Sequence, residues 1–161
     1  MNAPPPIAIP AGVRAAVESH ALADAPAECC GYLVGPAGGQ HVDEVVRCRN
    51  AQADGAHPLA PTRGADTGFV IAGRELIAFA RSLDTARPAR IVYHSHTHGR
   101  AYLSALDRAL ADGDAAGPAY PVQQLVIGVV DGAITETAQF AWDAAAGTHV
   151  EIARWSPRRT P

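Results

Sequence analysis

Three histidines stand at alternate positions in one short stretch of the chain, at His94, His96 and His98. Side chains two residues apart on a β-strand point to the same face, so the imidazoles of His94 and His96 could share one metal ion. Asp107 follows three residues after Ser104, where a helix could turn its carboxylate back toward the pair. Three protein ligands of these types leave the fourth position of a tetrahedral zinc ion for water. The spacing therefore predicts one catalytic zinc ion per chain, held by His94, His96 and Asp107.

Each part of this pattern also has a plainer interpretation. A pair of histidines on a strand is more often ordinary than metal-binding, and Ser104 with Asp107 is also the pattern of a helix capping box. An unbroken strand would place His98 on the same face, which leaves a three-histidine site open. We rank that site lower because Gly99 indicates that the strand ends there and because Asp107 would then have no role. Ser95 lies on the opposite face of the strand and is expected only to pack.

Hydrophobic spacing predicts the elements that position these residues. Helices are predicted over residues 11–23, 72–83 and 104–111. Strands are predicted over residues 30–35, 41–49, from 91 into the histidines, 122–130, 134–142 and 149–155. Residues 51–68 have turn formers without periodicity and predict a long loop, and Asp131-Gly132 predicts a hairpin turn. Helices and strands mix without a repeating βα unit, which favours an α/β (α+β) domain with a mixed sheet.

Composition bounds the class of protein. The 161 residues, 48% of them hydrophobic, are enough for one domain with a buried core. We expect a single domain over residues 1–161, with a flexible leader over 1–10 and a flexible tail over 156–161. The net charge of −3 argues against a general nucleic-acid binder, which usually carries a basic surplus.

Two further features predict a cytoplasmic protein. No apolar run approaches the roughly 20 residues that span a bilayer, and the N-terminus lacks the basic start and apolar segment of a signal peptide. The three cysteines, Cys29, Cys30 and Cys48, are too few and odd in number for a disulfide framework. They are expected to be small buried hydrophobic residues.

At its histidine cluster the sequence resembles the JAMM/MPN+ metalloprotease family. The family's signature is a distant glutamate, then His-Ser/Thr-His, seven residues, Ser, two residues and Asp, and residues 94–107 match every fixed position and gap. The glutamate of the family opens a strand of the form Glu-x-Cys-Gly-x-Leu-x-Gly, which residues 28–35 match. Thr97 and Leu103 replace prolines of many members, which alters loop stiffness but not ligation. The resemblance covers roughly residues 7–142 and is closest to the small single-domain bacterial members.

The resemblance implies an MPN or cytidine-deaminase-like mixed β-sheet flanked by helices. It implies a zinc-dependent isopeptidase or peptidase in which Glu28 is the general base and Ser104 donates a hydrogen bond to the oxyanion. The expected partner is a ubiquitin-like or sulfur-carrier protein, whose C-terminal tail would lie extended in a groove between residues 51–68 and 98–103. Two alternatives stay open: a zinc amidohydrolase of small molecules, and a noncatalytic MPN assembly module, although modules of that kind have lost ligands.

Overall fold

The computed structural model describes residues 2–114 and 116–157, which form three α-helices and six strands. The helices are α1 (Ala11–Asp24), α2 (Gly73–Ser82) and α3 (Ala105–Ala111). The strands are β1 (Cys30–Val34), β2 (Glu44–Cys48), β3 (Ala89–His96), β4 (Gln123–Val130), β5 (Ala133–Asp143) and β6 (Thr148–Trp155). Each lies within a few residues of a predicted segment, and the predicted α/β class with a mixed sheet is confirmed.

The six strands form one sheet in the order β2-β1-β3-β4-β5-β6. Only the central pair, β3 and β4, is parallel, and the other neighbours are antiparallel. Parallel neighbours need a crossover connection, because the chain must return to the end of the sheet at which the first strand began. Here the crossover contains α3, so α3 begins beside the carboxyl end of β3, where the histidines stand.

Alternation along β3 separates two faces of the sheet. Ile91 and Tyr93 belong to a buried cluster with Val13 and Val17 of α1, and Phe79 of α2 belongs to a separate cluster. Side chains at even positions of β3 point to the face that α2 covers, because neighbouring positions on a strand point to opposite faces. His94 and His96 therefore project on the α2 side.

Two helical side chains are oriented differently from the sequence prediction. In α1 the predicted apolar face included Leu22, which is 40% exposed, whereas His20 is buried. In α2 the predicted face included Ala80, which is exposed, whereas Phe79 is buried. His20 can be buried because its Nδ1 lies 2.7 Å from the Tyr93 hydroxyl and its Nε2 lies 3.1 Å from Asp24. An imidazole with both nitrogens in hydrogen bonds is therefore buried in α1, and Leu22, which hydrophobic spacing assigned to the core, is exposed.

The hairpin turn and the cysteines agree with the sequence predictions. Asp131 and Gly132 both have positive φ, 51° and 73°, as a tight turn between β4 and β5 requires. Cys29, Cys30 and Cys48 are free and buried.

The N-terminal segment, expected as a flexible leader over residues 1–10, contacts the sheet at Pro5 and Ile7. The Ile7 amide donates to Oε1 of Gln123 at 3.0 Å, and Nε2 of Gln123 donates to the carbonyl of Pro5 at 2.9 Å. Ile9 is 8% exposed and belongs to the α1-side core. Of the tail expected over residues 156–161, positions 158–161 lie outside the described residues.

Candidate metal centre

Two imidazoles and one carboxylate meet at the carboxyl end of β3. The Nε2 atoms of His94 and His96 are 3.2 Å apart, and Oδ2 of Asp107 is 3.2 Å from each of them. Ligand atoms about 2.0–2.1 Å from a tetrahedral zinc ion are about 3.3 Å from one another, so the three atoms have the spacing of one face of such a site. All three residues are buried, and no other group of this kind occurs in the part of the chain that the structure describes.

The two histidines are held by a strand that is paired on both sides. His94 is opposite Cys30 of β1 and Val126 of β4, and His96 is opposite Gly128 of β4. Directly beyond β3 the chain turns at Gly99, whose φ is 85°. Residues other than glycine rarely adopt that backbone conformation, so Gly99 ends the strand as the sequence indicated.

Asp107 completes the helix cap of Ser104 and faces the histidines with the same oxygen. The Ser104 amide donates to Oδ2 of Asp107 at 2.9 Å, and the Asp107 amide donates to Oγ of Ser104 at 3.1 Å, which completes a capping box. The two interpretations of the Ser-x-x-Asp pattern are therefore compatible. Burial opposes ionisation of Asp107, yet the charges and hydrogen bonds of His94 and His96 hold the pKa of its carboxyl well below its ordinary value.

The surroundings of the two imidazoles differ. Nδ1 of His96 lies 3.0 Å from the carbonyl oxygen of Arg100, which can only accept, so Nδ1 carries a proton and donates it to that oxygen, while Nε2 faces the site. The ring of His94 stacks on Phe69, with centroids 4.2 Å apart. Nδ1 of His94 is buried and has no hydrogen-bond partner among the described residues. The orienting bond common in metal sites is therefore present for His96 alone.

Glu28 places an unpaired carboxylate beside the triad. It is 5% exposed, its Oε1 lies 3.9 Å from Nε2 of His96, and its Oε2 is buried without a hydrogen-bond partner among the described residues. Burial raises the pKa of Glu28 to about 8. A buried charge without compensation is costly, and a nearby divalent cation with its water would supply that compensation. The donor set and the unpaired oxygen thus both fit a metal ion such as zinc.

The backbone on both sides of Glu28 is fixed to its neighbours. The Glu28 amide donates to the carbonyl of Ala65 at 2.8 Å, and its carbonyl accepts from Nδ2 of Asn50 at 3.0 Å. The Cys29 amide donates to Oγ of Ser95 at 2.8 Å, and the Ser95 amide donates to the Cys29 carbonyl at 3.1 Å. Ser95 therefore does more than pack, contrary to the sequence prediction: its hydroxyl fixes the Glu28 segment to the histidine strand.

The long loop over residues 51–68 is folded around two side chains that sequence reasoning missed. Asn50 donates to the carbonyls of Glu28, Ala65 and Gly68, and its own oxygen accepts from the amides of Gln52 and Val70. Gln52 donates to the carbonyls of Ala60 and Arg63 and accepts from the His57 amide. Asparagine before a turn is a weak signal of a cap, but nothing in the sequence shows that its partners lie so far along the chain.

His98 lies outside the triad. It is exposed, its ring stacks on Tyr102 with centroids 5.7 Å apart, and its Nδ1 accepts from the Arg100 amide at 3.2 Å. The ring centroids of His98 and His96 are 5.0 Å apart, so His98 borders the site without joining the triad. The structure thus brings together His94, His96 and Asp107, with Glu28 beside them and Ser104 at the cap of α3.

The profile of one protein family, described as prokaryotic homologs of the JAB domain, matches residues 10–145. The chain belongs to this family. The resemblance predicted from the motif residues is therefore confirmed. No curated protein matches this JAB domain.

Solved structures with a similar fold include two solution structures. One is of a protein from Desulfitobacterium hafniense, whose sequence is 20% identical. Its TM-score is 0.60, and the match covers 89% of this chain and 87% of the other. A solution structure from Salinibacter ruber is also 20% identical, with a TM-score of 0.56 over 89% and 86% of the two chains. At this identity the likeness shows the fold alone.

The family includes metalloproteases and also noncatalytic domains, and in this JAB domain the buried His-His-Asp group could hold a metal ion. Within the described residues no helix has both the length and the apolar character that crossing a bilayer requires.

Proposed function

We propose that this JAB domain is a zinc-dependent isopeptidase or peptidase that cuts after the C-terminal tail of a ubiquitin-like or sulfur-carrier protein. The observation that carries the proposal is the triad of His94, His96 and Asp107 at zinc-ligand spacing, with the unpaired carboxylate of Glu28 3.9 Å from His96. Zinc held there would lower the pKa of a bound water and polarise the scissile carbonyl.

Glu28 is suited to move the protons of the reaction. It would accept a proton from the attacking water and return it to the leaving amine, since one carboxylate can do both in sequence. Its backbone is bonded to Ala65 and Asn50, so the side chain starts from a fixed position. Oε2 of Glu28 has no partner among the described residues and is not committed to another interaction.

Ser104 is suited to stabilise the oxyanion. Its Oγ accepts from the Asp107 amide at 3.1 Å, and accepting that bond leaves the hydroxyl proton free to donate. A donor held in place before the reaction stabilises developing charge without further reorganisation. The capping and oxyanion roles therefore use different parts of the same side chain.

The substrate tail would pass between residues 51–68 and 98–103. The first segment lies against Glu28 through Ala65, and Oγ1 of Thr97 donates to the carbonyl of Asp66 at 3.2 Å. The second carries His98 and Tyr102, whose rings lie beside His96. An extended tail that ends in glycine would suit a narrow passage, because glycine has no side chain to clash.

Two features bear on the wider setting. The three buried free thiols suit a reducing compartment, and the proposal places the protein in the cytoplasm. The complete set of ligands, together with Glu28, argues against a noncatalytic assembly module.

The test uses the zinc-loaded protein and a panel of small ubiquitin-like and sulfur-carrier proteins extended at their C-termini by a reporter peptide. Mass spectrometry should show one cut after the native tail, lost on chelation and restored by zinc. A matched panel of small amides is assayed in parallel. Cleavage of the amides alone would instead indicate an amidohydrolase, and a fully zinc-loaded protein that cleaves neither would indicate a noncatalytic module.

A further inference from the structure

One peptide group connects the metal centre to a carboxylate of β5. The carbonyl of Arg100 accepts from Nδ1 of His96 at 3.0 Å, and the amide of Ala101, in the same peptide group, donates to Oε1 of Glu136 at 2.8 Å. This peptide is trans and planar, so its carbonyl and its amide point in opposite directions. A hydrogen bond that fixes the amide therefore also fixes the direction of the carbonyl that faces His96.

The sheet brings His96 and Glu136 to the same face. His96 of β3 is opposite Gly128 of β4, and Gly128 is opposite Glu136 of β5, so the three residues form one row across the sheet. A Cβ at Gly128 would collide with the carbonyl of Gly99. The missing side chain in the middle of the row therefore leaves the space in which the chain after β3 packs against the sheet.

The carboxylate of Glu136 is itself held in place. Its Oε2 lies 2.9 Å from Nη1 of Arg154 in β6, and Nη2 of Arg154 donates to the carbonyl of Ala101 at 2.7 Å. The same guanidinium donates to both oxygens of Glu151, at 2.9 and 2.7 Å. The hydrogen bond from the Ala101 amide, and then Arg154, lower the pKa of Glu136 against the opposing effect of burial, so this carboxylate is ionised at neutral pH.

The polar groups of Ala101 depend on these two side chains. Ala101 is 1% exposed and belongs to a cluster with Leu103, Val126, Ala138 and Phe140. Buried amide and carbonyl groups need hydrogen-bond partners, and here Glu136 and Arg154 supply them. Without the Glu136 carboxylate the amide would turn toward another acceptor, and the Arg100 carbonyl would turn with it.

His96 is the metal ligand that this arrangement can influence. Among the described residues Nδ1 of His94 has no hydrogen-bond partner, so the bond to the Arg100 carbonyl is the orienting bond of the imidazole pair. Such bonds fix the ring orientation and the tautomer of histidines that bind metals.

We propose that Glu136 is a positioning residue of the metal centre, which holds the peptide group between Arg100 and Ala101 so that its carbonyl orients His96. Arg154 supports this role by holding the second oxygen of the carboxylate. The proposal rests on the zinc centre of the proposed function, but on no particular substrate.

The test measures the zinc affinity of the metal-free protein in competition with a coloured chelator. Glu136→Ala should weaken affinity about 10-fold, at the lower end of the usual effect of residues that orient metal ligands, because it acts through a peptide group. Glu136→Gln keeps an acceptor at the same reach and should stay within about threefold of the parent. Glu136→Asp keeps the charge but is shorter by one methylene, so it should resemble Glu136→Ala.

Glu151→Ala is the matched control. It removes a carboxylate from the same arginine without a bond to Ala101, and it should bind zinc like the parent. An ion pair that matters only for stability would give another order, in which Glu136→Asp binds zinc better than Glu136→Gln. That order, or parent affinity in a folded Glu136→Ala protein, overturns the proposal. If Glu136→Ala does not fold by circular dichroism, the comparison of Glu136→Gln with Glu136→Asp decides.

A second readout separates this proposal from the hydrolase proposal. In the metal-free parent, NMR should show a slowly exchanging Nδ1–H signal of His96, assigned by its absence from His96→Ala. The signal should exchange faster in Glu136→Asp than in Glu136→Gln. If the parent binds no zinc, the hydrolase proposal is rejected and this comparison still decides the role of Glu136. If a protein tail is cleaved but affinity and signal are equal in all Glu136 variants, the reaction stands and the positioning role is rejected.

Discussion

Replacing Glu28 by glutamine should have opposite effects on activity and on the stability of the metal-free protein. Glutamine keeps the size of the side chain but cannot accept a proton, so turnover should fall by about 10²–10⁴, the usual value of general acid–base catalysis. Zinc content should stay near one per chain, because Glu28 is not one of the three residues that form the triad. Substrate affinity should change little, since ground-state contacts survive.

The effect on stability follows from the burial of the carboxylate. In the metal-free protein burial raises the pKa of Glu28 from 4.5 to about 8. Below pH 4.5 both folded and unfolded chains hold this proton, so the group imposes no penalty. As the pH rises toward 8 the unfolded chain releases the proton first, and stability is lost progressively. The loss is at most about 5 kcal/mol, because the pKa rises by about 3.5 and each pKa unit is worth about 1.4 kcal/mol. Glu28→Gln lacks this loss and should become relatively more stable across that window.

Chemical denaturation of the metal-free parent and variant from pH 5 to 9 measures the difference, and the contributions of groups that do not interact with Glu28 cancel. Turnover is measured, with zinc restored, on a protein substrate whose tail the parent enzyme cleaves. The reasoning is refuted if Glu28→Gln works at the parent rate, because the base would then lie elsewhere. Loss of zinc in the variant would make Glu28 a ligand, and a constant stability difference over this pH range would show that its carboxylate is not buried as described.

Three other predictions test ligation and packing. His96→Ala should reduce zinc from about one per chain to near zero by elemental analysis, whereas His98→Ala should keep it; equal loss would mean that the third ligand is wrongly chosen. Asp112→Ala should cost about 1–3 kcal/mol at pH 7 in denaturant titrations, because buried His149 Nδ1 loses its acceptor at 2.6 Å. Burial opposes ionisation of Asp112, but hydrogen bonds from His149 and Thr148 lower its pKa, so the parent's advantage should fade as the pH falls below 3.8. Gly31→Ala should cost about 1–3 kcal/mol, because a Cβ there would meet the Val46 carbonyl and the Tyr93 ring. Gly12→Ala, with nothing within 4 Å, should instead gain about 0.5–1 kcal/mol in the same assay.

The parts of this fold that the sequence predicts well are those set by local periodicity. The alternation that places His94 and His96 on one face depends only on two neighbouring residues, and Asp131-Gly132 makes its turn by its own backbone preferences. The orientation of α1 was predicted less well. Hydrophobic spacing assigned Leu22 to the core, but the tertiary contacts of His20 with Tyr93 and Asp24 bury the histidine instead. That partnership spans 73 residues and has no local signature.

The surroundings of Glu28 show why the rest of the site could not be derived from motif residues alone. The motif identifies the glutamate, but its position depends on the backbone bonds to Ala65 and Asn50 and on the hydroxyl of Ser95. None of these lies in the predicted catalytic set, and Asn50 acts through five bonds to groups scattered from residue 28 to residue 70. A pattern of spacings records which side chains do chemistry and leaves out the ones that hold them.

The Ser-x-x-Asp pattern shows how one local structure can serve two purposes. Nothing in the sequence decides between a helix cap and a metal ligand, because both need a carboxylate at the third position of the helix. In the structure Oδ2 of Asp107 accepts the Ser104 amide at 2.9 Å and lies 3.2 Å from both imidazoles. The cap therefore fixes the rotamer that a metal ligand would need, before any ion binds. It also uses the Ser104 oxygen as an acceptor, which leaves that hydroxyl's proton free to donate. A glutamate at position 107 would lengthen the side chain and could not keep the capping bond and the triad spacing together, which is a physical reason for aspartate at this position.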